Sequence, residues 1–562
     1  MGLRGRLRER ITRLGQTKPY PQFAVREPKH LVILPRAGAL AKTDLSYPLL
    51  EPFVSAHISW DPKEKRLVYQ VVEPPLSGEE GEVLEKVRTH LTELIDVKLS
   101  VVQNREQATG YLEGKVREIL DDLGMALEKE SYLRVLYYIY RDFVGLNEIE
   151  AFMHDPYIED IGCTGMETDI YVTHRKFGNM VTTINFTDFD VLTNFVIKLS
   201  ERCGRYISYA SPLLDGTLPD GSRVQASIAR DVTTKGPTFS IRRFRRNPFS
   251  PVDILNFKTA SPDLMAYLWF LIEHDTSLMV AGGVSTGKTT FLNTLSMFIP
   301  PEKKVVSIED VREINIPHDN WIPATSRTGF GIGDGGKRYG EVDLFDLLKE
   351  SFRMKPDYVI VGEVRGKEAY VLFQGMASGN PSLGTIHAGS VEDVVKRLQT
   401  PPIELSPSLI EALDVLVVMV NSREKGASAR RVKEVAEIES VDAESGRAHI
   451  SKAFAWIPAT DEFTNATRQS LLLRRISFER GIPFEKIMTE LDRRTRILQW
   501  MQKFSVVQFE EVASLINAYY KDPAVLMEWV DGGLPPYKTR TREDVEKLWK
   551  SATDLVIAKE KL

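Results

Sequence analysis

The sequence predicts an α/β fold. Its second half is built on a parallel sheet covered by helices, a smaller α/β region precedes it, and helical segments extend both ends. Three observations predict this. From about residue 260 onward, short and nearly continuous apolar runs alternate with helical patterns, as a sheet buried on both faces requires. One run leads straight into GGVSTGKT at 282–289 and then into TTFLNTLSMF, the strand–loop–helix order of a phosphate-binding loop. Three further runs end in polar groups at 309–310, 363 and 387, where open α/β sheets gather the groups that bind ligands.

Taken in order, the chain opens on an arginine-rich segment. Leu3, Leu7, Ile11 and Leu14 fall at helical spacing among Arg4, Arg6, Arg8, Arg10 and Arg13. Such a basic amphipathic helix can lie on anionic lipid; a frayed or docked terminal helix is the other reading. Residues 53–60 and 66–72 have strand composition around the turn DPKEK, and 78–95 read as a helix. Helices are predicted at 111–125 and 132–144, the second with Leu133, Leu136, Tyr137 and Tyr140 on one face. From 149 to 244 the pattern is α/β: a strand at 170–174, a helix over 186–202, and strands within LPDGSRVQASIA and GPTFSIRRF. The basic, Pro-punctuated RRFRRNPFSP reads as a linker. The strand candidates beyond it are 277–281, 304–308, 358–361, 383–386 and 415–420, followed by a hairpin turning at AESG. The last hundred residues are helical, with one apolar stripe at Ile487, Leu491, Leu498 and Met501 and another at Val512, Leu515, Ile516 and Tyr519.

Composition narrows the function classes. The 562 residues suggest about three to five domains, and 43% hydrophobic with 27% charged residues excludes wholesale disorder. A net charge of −5 argues against a body-wide nucleic-acid surface. Two cysteines, Cys163 and Cys203, exclude a disulfide framework and a zinc site built on paired CxxC motifs, and are expected to be free thiols. No apolar run is long enough for a membrane span and no secretory signal opens the chain, so the expected location is cytoplasmic, with any membrane role peripheral.

The loop fits GxxxxGK[ST]. Its glycines let successive backbone N–H groups turn around a phosphate, and the helix that follows adds its positive dipole end. Gly282, Gly283, Ser285, Thr286, Gly287, Lys288, Thr289 and Thr290 are the expected nucleotide-binding residues. Lys288 can reach β and γ phosphates, and the Thr289 hydroxyl can bind Mg²⁺. Glu309 or Asp310 can polarise an attacking water as general base. Glu363 sits where P-loop ATPases put an acid on the Mg²⁺ side, and His387 can sense or hydrogen-bond a γ-phosphate.

At these residues the chain resembles the secretion ATPases of the type II/type IV pilus superfamily, and most of all their archaeal branch. The motifs are GGVSTGKT (Walker A), SIEDVRE (Asp box), VGEVR (an atypical Walker B) and GTIHAGS (His box), with DPYIEDIGCTG and LPDGSRVQASIA upstream and RLQTPPIELSPSLIEALDV downstream. The resemblance implies a PAS-like N-terminal lobe at 146–244, a linker at 245–259 and a RecA-like ATPase domain at 260–460. A variable region at 1–145 and a helical region at 461–562 flank them. It also implies ATP and Mg²⁺ as ligands and a ring of six protomers. Glu309 would then be the catalytic base and Glu363 the Walker B acid, with Arg223 and Arg242 brought to the phosphates from the N-terminal lobe; Arg243 competes with Arg242. Relatives with a four-cysteine metal module differ from this chain, and Val284 and Thr286 stand where relatives often carry Thr and Ser.

The function implied is a mechanochemical ATPase acting on a polytopic membrane platform protein, driving assembly of a pilus-like filament, an archaellum or a secretion pseudopilus. Two alternatives stand beside it. One is a RecA-like nucleic-acid motor, which the acidic balance disfavours. The other is a nucleotide switch without turnover, which the presence of both Glu309 and Glu363 disfavours.

Overall fold

A computed structural model describes residues 20–28, 40–94, 105–244, 248–327, 329, 338–424 and 427–536. The expected basic helix near the N-terminus and residues 537–562 of the expected helical region lie outside the described residues. The chain divides into two compact units, Met1–Phe244 and Arg245–Leu562.

The first unit is built on a sheet of strands β1 (Asp44–Leu50), β2 (Val54–Asp61), β3 (Arg66–Val72), β4 (Ile158–Cys163), β5 (Asp169–His174), β6 (Gly178–Asn185), β7 (Leu213–Thr217), β8 (Arg223–Ser227) and β9 (Thr238–Arg242). Their order is β1-β2-β3-β6-β5-β4-β9-β8-β7. All pairs are antiparallel except β3–β6, which joins the two halves through Val68↔Val181 and Tyr69↔Thr182. Its longer helices are α1 (Gly78–Leu94), α2 (Arg105–Asp122), α3 (Lys129–Ile139) and α4 (Phe189–Arg202). Asp188 caps α4, accepting from the N–H groups of Asp190 and Val191. One core runs from Phe23 to Ile241, so the division expected at residue 145 falls inside a shared core. Asp155 ties the halves together. It is fully buried and accepts from the hydroxyls of Tyr47 and Tyr69 at 2.5 and 2.6 Å, which satisfies a carboxyl that burial would otherwise leave costly.

In the second unit, strands β10 (Leu278–Gly282), β11 (Val305–Glu309), β12 (Trp321–Thr325), β13 (Tyr358–Val364), β14 (Ser382–His387) and β15 (Val415–Glu424) are parallel, in the order β12-β11-β13-β14-β10-β15. An antiparallel wing of β16 (Ala427–Val441), β17 (Ala448–Ile457) and β18 (Glu462–Asn465) continues from β15. Strand alternation explains the apolar runs: Leu278 and Val280 enter the core on one face, Met279 and Ala281 the core on the other. With the loop strand β10 between β14 and β15, this is a RecA-like P-loop domain.

The expected linker carries a helix, α5 (Pro251–Asn256), started by a capping box between Ser250 and Asp253. Helix α6 (Pro262–Glu273) is buried from Leu264 to Ile272, apolar all round as an internal helix must be. Then follow α7 (Lys288–Ser296), α8 (Leu344–Arg353), α9 (Glu368–Ala377) and α10 (Val391–Gln399). The C-terminal helices α11 (Leu471–Arg480), α12 (Phe484–Lys503), α13 (Phe509–Lys521) and α14 (Pro523–Asp531) share the core that holds α6. Arg494 of α12 is buried there. Its guanidinium lies 5.0, 5.4 and 5.6 Å from the Trp269, Phe270 and Tyr519 rings and is paired with Glu273 and Glu490.

Candidate functional site

Strand β10 is buried throughout and ends at Gly282, where the backbone must turn at once. A Cβ on Gly282 would sit 2.5 Å from the Thr286 hydroxyl and 2.9 Å from the Met419 carbonyl, so only glycine closes the loop. Gly287 then takes φ +88°, and α7 starts at Lys288 without a side-chain cap. Its first-turn N–H groups are those a helix cannot satisfy internally. Lys288 Nζ donates to the Gly283 carbonyl at 2.9 Å, and the Thr286 hydroxyl donates to the same oxygen at 3.0 Å. Partial burial pulls the Lys288 pKa down, while the charge of Glu363 pulls it back up. Thr289 and Thr290 are half-buried in the first turn, and Val284 stands exposed at the loop tip.

Glu309 ends β11 with 2% exposure. Its Oε1 accepts the backbone N–H groups of Glu313 and Ile314, both at 2.9 Å. Its Oε2 is buried and has no hydrogen-bond partner. Burial pushes this carboxyl up to about 7, against the two backbone donors. Asp310 is different: it is exposed, accepts from the Ser326 hydroxyl at 3.2 Å and lies 3.5 Å from Arg365 Nη1.

Glu363 is aimed by a bulge. Val361 pairs with Gly384 but Val364 with Ile386, so β13 carries one residue more than β14 between those pairs. The Gly362 carbonyl accepts from the Thr385 hydroxyl at 2.6 Å. Arg365 Nη2 donates to Glu363 Oε2 at 2.5 Å. Burial would raise the Glu363 pKa, but Arg365, Lys288 and His387 together hold it below the usual carboxylate range. Gly362 also packs on the neighbouring acid: a Cβ there would lie 2.9 Å from Glu309 Cγ. His387 ends β14 directly opposite Gly282, and its carbonyl accepts from Arg397 at 2.9 Å. The structure thus brings Lys288, Glu309, Glu363 and His387 to the carboxyl edge of one sheet. Sequence reasoning gave no role to Gly362 or Arg365, although both lie within VGEVR.

Arg223 and Arg242 belong to the first unit, where they face each other across β8 and β9. Each is ion-paired. Arg223 meets Asp215 through paired bonds of 3.2 and 3.1 Å, and Arg242 meets Asp160 at 3.4 Å. Arg243 is half-buried and donates to the carbonyls of Met153, at 2.7 Å, and Asp155, which makes it a structural anchor. Cys163 and Cys203 are free, and burial pushes the Cys203 thiol up to about 12. Among the described residues, no three His, Cys, Asp or Glu side chains cluster to hold a metal, and no helix is long and apolar enough to cross a membrane.

A family model for type II/IV secretion system proteins matches residues 144–468. An uncharacterized protein of Methanocaldococcus jannaschii is 33% identical over 519 residues, covering 88% of this chain and 93% of its own. The type IV secretion system protein PtlH of Bordetella pertussis is 31% identical over 265 residues, covering 42% of this chain and 77% of its own. Among solved structures, the VirB11 ATPase from the Brucella suis type IV secretion system, in complex with sulphate, shares 23% identity, covers 50% of this chain and 90% of its own, and has a TM-score of 0.26. With the family match spanning more than half of the sequence, the chain belongs to the type II/IV secretion system protein family.

Proposed function

We propose that this chain hydrolyses ATP and uses the energy to drive a membrane-bound secretion or pilus-assembly machine from its cytoplasmic side. The observation that carries the reading is Glu309, a buried carboxyl near pKa 7 with one oxygen unpartnered, on the sheet edge that carries the phosphate loop. A general base works best with a pKa near the working pH.

The proposed roles follow from the groups. Gly282, Gly283, Ser285, Thr286, Gly287, Thr289 and Thr290 wrap the phosphates with backbone and hydroxyl donors, and Lys288 neutralises the β and γ oxygens. Glu309 takes the proton of the attacking water. His387 hydrogen-bonds the γ-phosphate. Arg223 and Arg242, once released from Asp215 and Asp160, spread charge over the transferring group. The donor set suits Mg²⁺, which needs only one or two protein oxygens beside substrate phosphates: the Thr289 hydroxyl and the ionised Glu363, acting through a water. Held there by Thr289 and Glu363, it would supply charge neutralisation of the phosphates. Six protomers in a ring, a polytopic membrane platform protein as partner and peripheral membrane association complete the reading.

Steady-state ATP turnover by the full chain with magnesium tests the activity, and mass measurement with a non-hydrolysable ATP analogue tests the ring. A strict monomer without turnover would end the proposal. Turnover stimulated by single-stranded DNA, but by neither anionic vesicles nor platform protein, would favour a nucleic-acid motor instead.

Gly362→Ala is expected to push Glu309 out of line. Turnover should fall by about 10²-fold while nucleotide affinity stays near that of the wild type, as kcat against Kd would show.

A further inference from the structure

Strand β16 carries two arginines in succession, and strand alternation sends them to opposite faces. Arg431 is 2% exposed. Asp461 holds its guanidinium through paired bonds of 2.8 and 3.1 Å, and its Nη1 donates to the Phe257 carbonyl at 3.1 Å. The next residue, Val432, donates its N–H to the Thr259 carbonyl at 2.8 Å. These bonds fasten β16 to the segment that follows α5, so the strand is a rigid arm at this point.

Arg430 is exposed and reaches the other way. It pairs in register with Asn421 of β15, two residues beyond Met419, which pairs with Gly282 at the mouth of the phosphate loop. Its Nε donates to the Ser285 carbonyl at 3.1 Å. Its stem crosses Gly287, where a Cβ would lie 3.2 Å from Arg430 Cδ. The missing side chain at Gly287 therefore serves two needs, a left-handed turn and a seat for the arginine.

Ser285 needs such a support. It is not glycine, yet it holds φ +59°, a region L residues avoid. Val284 beside it is 79% exposed, so side-chain packing does little to hold the loop tip. A charge-assisted hydrogen bond from a guanidinium is stronger than a neutral one and directional.

We propose that Arg430 is a positioning residue that pins the Ser285 carbonyl and keeps the phosphate loop pre-formed for a nucleotide phosphate. The inference rests on the ATPase reading. It adds that the loop's receptive shape depends on a strand two places away in the sheet, and that Arg431 keeps that strand still. Its effect belongs to binding: a loop that must be ordered by its ligand binds more weakly, while chemistry in the filled site is unchanged.

The test compares wild type with Arg430→Ala, Arg430→Gln and Arg430→Lys in the full chain. Affinity is read with a fluorescent ADP analogue, kcat and KM with ATP, and loop order by amide hydrogen exchange over residues 283–287 without nucleotide. Arg430→Ala and Arg430→Gln should weaken ADP binding and raise KM about tenfold, leave kcat at saturation within about twofold and speed exchange in the loop. Arg430→Lys should recover most of the affinity. Wild-type exchange and ADP affinity in Arg430→Ala would overturn the inference, as would a fall in kcat at unchanged affinity. Should the alanine variant fail to fold, the glutamine and lysine variants carry the same comparison. A wild-type chain that binds no nucleotide would remove the ATPase reading itself, and loop exchange would still decide whether Arg430 pins Ser285.

Discussion

Lys288→Ala is expected to abolish useful nucleotide binding, with turnover at a fixed ATP concentration falling by about 10²–10³-fold. The loss is electrostatic. The ammonium sits at the phosphate loop, donating to the Gly283 carbonyl at 2.9 Å; burial lowers its pKa, and the nearby charge of Glu363 only partly offsets that. Glu363 itself is held ionised by Arg365, Lys288 and His387. Removing Lys288 leaves a triphosphate beside a charged Glu363 with less to offset the repulsion. Backbone N–H groups and the α7 N-terminus remain, but partial dipoles do not replace a full charge at the β and γ oxygens. A thermal melt reads the result. A ligand at about 100 times its Kd stabilises the folded chain by about 2.7 kcal/mol, so wild type should gain in Tm on adding nucleotide and Lys288→Ala should not. An equal gain in both would mean that the loop binds phosphate without its lysine.

What the sequence revealed and what it hid follow burial. β10, β11, β13, β14 and β15 lie inside the sheet and were visible as apolar runs, because both faces of each are covered. β12 was not, since it is an edge strand with intermediate burial and a proline at 323. The β3–β6 contact that joins the first unit rests on residues more than a hundred positions apart, and no local pattern announces it. The choice between neighbouring residues depends on strand phase. Arg242 stays exposed and Arg243 turns inward onto carbonyls, while Glu309 is buried and Asp310 exposed; composition reads each pair as interchangeable. The stripes of α12 and α13 were legible as helix faces, but their shared partner Trp269 and the buried Arg494 between them were not. The helix α5 inside the expected linker had a readable signal, Ser250-Pro251 followed by Asp253, that composition masked.

Glu309→Gln is expected to bind ATP and barely turn it over, with kcat down by about 10²–10⁴-fold. Glutamine keeps the Oε1 that accepts from Glu313 and Ile314, so the side chain stays anchored. It replaces the unpartnered Oε2 with a group that cannot take a proton. The pH dependence separates loss of a base from loss of shape. In wild type, kcat/KM should rise through pH of about 7 as Glu309 ionises, and the Gln variant should lack that limb. Stability carries the opposite sign. The carboxyl's pKa lies higher in the folded chain than in the unfolded one, so its protonated form stabilises the fold at low pH, and that contribution is lost as pH rises through the folded value. The Tm of wild type relative to Glu309→Gln should therefore fall between about pH 5 and about pH 8, whatever constant offset the amide introduces. Turnover in Glu309→Gln close to wild type, or a flat Tm difference over that range, would remove Glu309 as the base and make Asp310→Asn the next variant to measure. The two readouts share one cause: burial of an ionisable oxygen that costs stability in the folded chain also leaves a base that is ready at neutral pH.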